Sequence, residues 1–373
     1  MRRQRSGATV FALSERARQS LRRSLLAWFD RTKRDLPWRR THDPYRIWLS
    51  ECMLQQTRVE TVVPYYERFL NTLPTIDSLA AAPLQRVLKL WAGLGYYARA
   101  RHLHRAAQTI VREHRGQVPK SAAELSTLPG VGKYTAAAVA SIAFGEPAAA
   151  VDGNVQRVLA RLFAVDLPID APSTRAQLWS LAEGLLDHAR PGAFNEAMME
   201  LGATLCTPTT PRCSDCPLSN WCTAHRDART AELPIRSRRA APAACYVEAV
   251  GVRRQGRLLL IQRQPRGLFG GMWELPGIVS VAHAAEPIAA PRLVKHVLDH
   301  HRVSIDALHP IGIVTHVLTH RRMMVRVWVA AARGGRAYRG SHASVRWLAH
   351  AARSDLPISV LDRKVIDLAE GRT

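Results

Sequence analysis

The stretch Cys206-Thr-Pro-Thr-Thr-Pro-Arg-Cys213-Ser-Asp-Cys216-Pro-Leu-Ser-Asn-Trp-Cys222 gathers four of the chain's six cysteines within seventeen residues, spaced C-x6-C-x2-C-x5-C. Thiols at that density in a loop-rich segment either ligate a metal or pair as disulfides. The Arg-rich N-terminus is not followed by an apolar run of signal-peptide length. A reducing compartment is therefore expected, which disfavours disulfides. Zinc sites of four cysteines usually come as two close pairs, and only Cys213 and Cys216 form one here. Four unevenly spaced thiolates suit a [4Fe–4S] cube equally well or better. Spacing alone leaves iron–sulfur, zinc and no metal open. Cys52 and Cys245 stand apart and read as buried small hydrophobes.

Upstream of this loop, from about Leu21 to Arg190, apolar residues recur at helical spacing. Leu21, Leu25, Leu26 and Phe29 form one such stripe, Leu84, Val87, Leu88 and Trp91 another, and Val155, Val158, Leu159 and Leu162 a third. Pro and Gly breaks separate the runs, so this part reads as an all-helical globule. Downstream, residues 226–244 are rich in Arg, Pro and Ala without apolar periodicity and read as a linker. From Cys245 the texture changes to strands, with Arg257–Gln262 and Met323–Val329 as examples. A length of 373 residues also calls for more than one core. The expected layout is a basic disordered arm over 1–17, a helical domain over 18–225 that ends in the cysteine loop, a linker over 226–244 and an α+β domain over 245–373.

The formal charge is +23, which favours a polyanionic partner. No stretch is long and apolar enough for a transmembrane helix, and no membrane partner is expected. Leu128-Pro129-Gly130-Val131-Gly132 lies between two helical runs. Two glycines two apart allow a tight turn with uncovered N–H groups, and a helix starting at Lys133 adds its positive end, which suits a phosphate. The same residues also serve as a plain helix–turn–helix connection.

This element resembles the helix–hairpin–helix of DNA glycosylases. With it come Leu36-Pro-Trp-Arg39, Trp48-Leu-Ser-Glu51-Cys-Met-Leu-Gln-Gln-Thr57, Gly93-Leu-Gly-Tyr-Tyr-Ala-Arg99, Val151-Asp-Gly-Asn154 and Phe194-Asn-Glu-Ala-Met-Met-Glu-Leu-Gly202. In this order the set is similar to MutY-type adenine DNA glycosylases of the endonuclease III superfamily. The resemblance implies a multidomain fold: an all-α helix–hairpin–helix domain with a [4Fe–4S] loop, then an α+β Nudix-like (MutT-like) domain. It implies Cys206, Cys213, Cys216 and Cys222 as cluster ligands. The implied partner is double-stranded DNA carrying adenine opposite 8-oxoguanine or guanine. A monomer of bacterial type, cytoplasmic and nucleoid-associated, is expected.

The resemblance also assigns roles. Glu51, among apolar neighbours on a helix, aligns with the acid that protonates adenine N7; such surroundings raise a carboxyl pKa as a general acid requires. Asp152 precedes a helical run, reads by itself as an N-cap, and aligns with the carboxylate facing the oxocarbenium ion. One acid and one anion across an anomeric carbon is the glycosidase arrangement. Asn154 and Tyr134 match supporting polar residues that hold Asp152 and the leaving base in register. Tyr134 occupies the slot where bifunctional relatives carry a Schiff-base lysine, and a phenol forms no imine. Monofunctional base removal is thus implied, with Lys133 turned elsewhere toward phosphate. Gln55, Gln56, Leu94 and Tyr96 match residues that wedge the duplex as the base leaves the stack. Arg39 and Glu196 match contacts to the flipped adenine, and Gly130 and Gly132 contacts to the DNA backbone.

Trp273-Glu-Leu-Pro-Gly277 resembles the entry to a Nudix box, but residues 278–300 hold only Glu286 and Asp299 as acids. Without clustered carboxylates the domain lacks a Mg²⁺ site, so it is expected to bind rather than hydrolyse. Its His316-Val-Leu318-Thr319-His320 matches a loop, usually Phe-Ser-His, that reads 8-oxoguanine. Thr319 keeps the hydroxyl and His320 the imidazole, while Leu318 lacks the ring. Rival readings are a bifunctional glycosylase/lyase, opposed by Tyr134; a Nudix hydrolase, opposed by the missing carboxylates; and a non-enzymatic iron–sulfur DNA binder, opposed by Glu51 with Asp152.

Overall fold

The computed structural model describes residues 13–237, 241–280 and 290–371. The helices are α1 (Glu15–Thr32), α2 (Pro44–Leu54), α3 (Val59–Thr72), α4 (Ile76–Ala81), α5 (Leu84–Trp91), α6 (Ala98–His114), α7 (Ala122–Leu125), α8 (Lys133–Phe144), α9 (Gly153–Leu162), α10 (Pro172–Leu185), α11 (Pro191–Thr204), α12 (Thr223–Arg226), α13 (Ala290–His301) and α14 (Val360–Glu370). The strands are β1 (Ala243–Arg254), β2 (Arg257–Gln262), β3 (Trp273–Glu274), β4 (Gly277–Ser280), β5 (Ser304–Ile305), β6 (His309–Val317), β7 (Arg321–Gly334) and β8 (Ser344–Leu348).

Local chemistry sets several boundaries. Ser14 caps α1, its Oγ accepting from the Ala17 N–H at 3.2 Å, so residues 15–17 are helical rather than part of the expected disordered arm. Residues 1–12 of that arm lie outside the described residues. Asp43 caps α2 and Pro44 takes its first turn, where a missing N–H costs nothing. Between α7 and α8, Gly130 adopts φ +77°, a conformation that glycine alone enters without strain. Gly132 is the N-cap of α8 and offers no side chain, so the first N–H groups of α8 stay uncovered, as expected of the hairpin.

The described residues divide into two compact units, 13–70 with 75–80 and 105–237, and 71–74 with 81–104, 241–280 and 290–371. In the first, α11 packs against α1, α8 and α9. Leu25, Phe29, Leu159, Leu178, Phe194 and Leu201 lie in the core around it. Gly202 on α11 permits a close approach to α9: a Cβ there would stand 2.6 Å from the Asn154 Cβ. Part of the expected linker belongs to this unit. Leu233 is buried, and its carbonyl accepts from Arg161 Nε at 2.8 Å.

The second unit is a mixed sheet of order β3-β2-β1-β7-β5, with β4 on β1, β6 on β7 and β8 on β2. β1 and β7 pair in parallel, while the other strand pairs are antiparallel. Helix α14 packs on β6 and β7, and α13 on β4 and β5. β1 starts at Ala243, two residues before the expected change of texture. Residues 81–104 fall in this unit by specific contacts: Gln85 Nε2 donates to the Gly271 carbonyl at 3.1 Å, and Arg101 Nη1 to that of Gly270 at 2.9 Å. No sequence pattern in α5 or α6 signals that grouping.

Candidate active site

A cavity of about 680 Å³ in the helical unit brings together Glu51, Asp152, Tyr134, Asn154, Arg39, Glu196, Gln55 and Gln56. Glu51 sits on α2 between Trp48 and Met53 and is itself buried. Burial pushes its carboxyl up to about 7. A hydrogen bond from Tyr134 offsets part of that rise, and the charges of Asp152 and Glu196 add to it. Tyr134 is the second residue of α8, so the hairpin turn delivers its side chain to the cavity. Its hydroxyl donates to Glu51 Oε2 at 2.6 Å and lies 3.1 Å from Met199 Sδ. Of the two residues expected to hold Asp152 and the leaving base in register, Tyr134 bonds to Glu51 and Asn154 to Asp152. Gln55, at the C-cap of α2, donates to Thr135 Oγ1 at 3.1 Å and ties the two helices together.

Asp152 is the N-cap of α9, its Oδ1 accepting from the Val155 N–H at 2.7 Å. The modest reading of this residue holds, and it also faces the cavity. Burial raises its pKa despite the hydrogen bonds from Val155 and Asn154. Asn154 Nδ2 donates to Asp152 Oδ2 at 3.0 Å, and Arg157 Nη2 to Asn154 Oδ1 at 2.9 Å. Arg157 Nε then reaches the Cys206 carbonyl at 2.7 Å. One hydrogen-bonded line thus joins the cysteine loop to Asp152. Asn195 anchors the segment before Asp152, accepting from the Ala150 N–H at 3.0 Å and donating to the Ala148 carbonyl at 2.8 Å.

Arg39 Nε donates to Glu196 Oε1 at 3.1 Å on the cavity wall. Two further wall residues escaped sequence reasoning: Arg34 and Glu200, hydrogen-bonded across 166 residues of chain. Their only advance signal is that Glu200 lies one helical turn after Glu196. Lys133 turns away from Tyr134, its Nζ 4.0 Å from the Trp179 ring centre and 3.5 Å from Glu183.

The four loop cysteines line one cavity of about 30 Å³ together with Arg161. Among the described residues no group of three or more His, Cys, Asp or Glu is placed to hold a metal ion directly. The chemistry of the donor set nevertheless fits a cationic cluster. Burial pushes the Cys216 thiol up to about 12, and it also raises Cys213 and Cys222. Thiolates there need positive charge beside them. Arg161, buried on α9, supplies some, its Nη1 lying 3.3 Å from Cys206 Sγ and 2.7 Å from the Thr207 carbonyl. Arg157 and Arg161 were legible only as two Arg one turn apart in an otherwise apolar run.

The remaining expected DNA contacts lie in the other unit. Leu94 is buried, not exposed as a wedge. Tyr96 is exposed, holds φ +48°, and its hydroxyl hydrogen-bonds Thr319 Oγ1. Thr319 and His320 form the exposed tip between β6 and β7, closed by the Leu318 N–H donating to the Arg321 carbonyl at 2.7 Å. Asp299 pairs with Lys295 at 2.8 Å, and Glu286 lies outside the described residues.

Residues 49–183 match the HhH-GPD superfamily of base excision DNA repair proteins, and residues 248–368 match the NUDIX domain family. Fold and site together define a helix–hairpin–helix base-excision glycosylase with an appended Nudix-like domain. The adenine DNA glycosylase of Rattus norvegicus is 36% identical over 405 residues, covering 94% of this chain and 78% of the relative. That of Homo sapiens is 35% identical over 410 residues, covering 95% and 74%. A thermostable thymine-DNA glycosylase structure shares 32% identity at a TM-score of 0.52, covering 56% of this chain and 97% of its own. A trapped endonuclease III–DNA covalent intermediate shares the fold, at a TM-score of 0.50 and 24% identity, covering 58% and 99%. The chain belongs to the adenine DNA glycosylase family of base excision repair enzymes.

Proposed function

We propose that this enzyme removes adenine standing opposite 8-oxoguanine or guanine in duplex DNA, as a monofunctional glycosylase. The observation that carries the reading is Glu51, buried in the cavity with the Tyr134 hydroxyl 2.6 Å from its Oε2, an environment that pushes its carboxyl up to about 7. Near neutral pH about half of such a carboxyl is protonated, which poises it as a general acid. In this reading Glu51 delivers its proton to N7 of the extruded adenine, and the C1′–N9 bond breaks with its electron pair leaving on the base. Asp152, held by Asn154 and the start of α9, faces the positive charge at C1′. Water then adds at C1′ and its proton departs. Tyr134 offers no amine for a lyase step, and Lys133 is engaged at Trp179.

Cys206, Cys213, Cys216 and Cys222 would hold a [4Fe–4S] cluster, which supplies a rigid, redox-capable anchor for the loop 207–221. Arg157 and Arg161 position that loop, and the hairpin glycines Gly130 and Gly132 take the DNA backbone. Gln55 and Gln56 fill the space left by the base. Thr319 and His320 read the opposite base. The enzyme acts as a monomer on double-stranded DNA in the cytoplasm. Among the described residues no helix is long and apolar enough to cross a membrane.

Base release measured on duplexes with adenine opposite 8-oxoguanine, adenine opposite guanine, and thymine glycol tests the reading. Free adenine from the first two and nothing from the third is expected. Strand cleavage at thymine glycol, or efficient borohydride trapping through Lys133, refutes it.

A further inference from the structure

Three of the glutamates that line the cavity are held differently. Glu51 bonds to Tyr134, and Glu196 takes one bond from Arg39. Glu200, one turn further along α11 and almost wholly buried, takes four. Its Oε1 accepts from the Arg34 main-chain N–H at 3.2 Å and Nε at 2.8 Å, and its Oε2 from Arg34 Nη2 at 2.8 Å and Arg39 Nη2 at 2.9 Å. Burial alone would raise its pKa, but these guanidinium bonds outweigh burial and hold it down to about 2, so it is an anion at neutral pH.

The way Arg39 is shared matters. A guanidinium has five N–H groups, and its Nε and Nη2 edge normally grips one carboxylate with both. Here that edge is split: Nε goes to Glu196 and Nη2 to Glu200. Nη1 donates to the Arg34 carbonyl at 3.1 Å, which locks the plane of the fork. Glu196 is thereby left with a single bond, on Oε1, and its Oε2 has no hydrogen bond among the described residues. Were Glu200 uncharged, Arg39 would swing both donors onto Glu196 and close that oxygen. The Watson–Crick edge of adenine carries one donor, the exocyclic 6-amine, and an open carboxylate oxygen is its natural acceptor.

We propose that Glu200 is a specificity-determining positioning residue, which holds Arg34 and Arg39 so that one oxygen of Glu196 stays open to the 6-amino group of the extruded purine. This deepens the reading of the cavity as an adenine site and rests on it. Full-length enzyme, wild type and Glu200→Gln, is assayed in single turnover on two duplexes, one with adenine and one with unsubstituted purine, both opposite 8-oxoguanine. Comparing the adenine-to-purine rate ratio between variants cancels the intrinsic difference of the leaving groups. The ratio is expected to fall about ten- to a hundredfold in Glu200→Gln, the size of one charge-assisted hydrogen bond. In Glu196→Gln/Glu200→Gln it should fall no further than in Glu196→Gln alone. Glu200→Asp, which keeps the charge at shorter reach, should fall between wild type and Gln, and it carries the test if the Gln variant does not fold. Equal slowing on both duplexes with a lowered Tm marks a purely structural role and overturns the proposal, as does an unchanged ratio. Wild-type enzyme that releases no adenine overturns the function proposed above instead.

Discussion

Replacing Glu51 by Gln should abolish base release and also stabilise the protein, by an amount that grows with pH. A buried carboxyl pushed from 4.5 up to about 7 prefers its neutral form in the folded state. The sign follows from linkage. A raised folded-state pKa contributes stability that is fully present below about 4.5 and is lost as pH rises through about 7. The gap of about 2.5 between these values, at ~1.4 kcal/mol for each pH unit, is about 3 kcal/mol. Gln keeps the shape and an acceptor for the Tyr134 hydroxyl but never ionises. Relative to wild type, Glu51→Gln should therefore gain nothing from this source at pH 4 and about 3 kcal/mol at pH 8. For a unit of this size that is a rise of roughly several degrees in Tm. Thermal unfolding of both proteins from pH 4 to pH 8.5, beside single-turnover adenine release by wild type, is the assay. A Tm difference that does not change with pH refutes the burial argument. A wild-type rate that stays flat above pH 7 refutes Glu51 as the acid.

Other perturbations probe the same network. Tyr134→Phe removes the donor that lowers the Glu51 pKa, so the alkaline limb of the rate should move up by about one pH unit; a limb that stays or moves down contradicts the assignment. Arg157→Gln cuts the line from Cys206 to Asn154 and Asp152. Base release should slow about tenfold or more while iron content and visible absorbance are largely kept; an unchanged rate dismisses the coupling. Thr319→Ala combined with His320→Ala should leave release of adenine opposite guanine nearly intact and lower the preference for 8-oxoguanine about tenfold; a retained preference, measured by competition of the two duplexes, refutes the reader loop.

Much was legible wherever short-range chemistry decides. The apolar stripe at Leu21, Leu25, Leu26 and Phe29 is buried as a helical period requires. The Gly130–Gly132 turn opens onto an uncapped α8, because glycine fixes the turn and supplies no side chain. The cap role of Asp152 follows from its place before an apolar run. Other features needed the folded chain. Leu94, matched to a residue that wedges the duplex, is buried, and residues 81–104 group with the C-terminal strands through contacts such as that of Gln85 with Gly271.

Residue types, their order and their spacing by themselves determined the helical unit, the α+β unit and the cysteine quartet, while Glu51 and Asp152 stood out only through the resemblance to a family. The tertiary structure alone decided what those carboxylates are chemically. The value of about 7 for Glu51 depends on burial by remote helices and on a phenol 83 residues away, and the value of about 2 for Glu200 on guanidiniums more than 150 residues away. Acidity is set by desolvation and by the nearest charges in space. Neither is a property of a local stretch of chain.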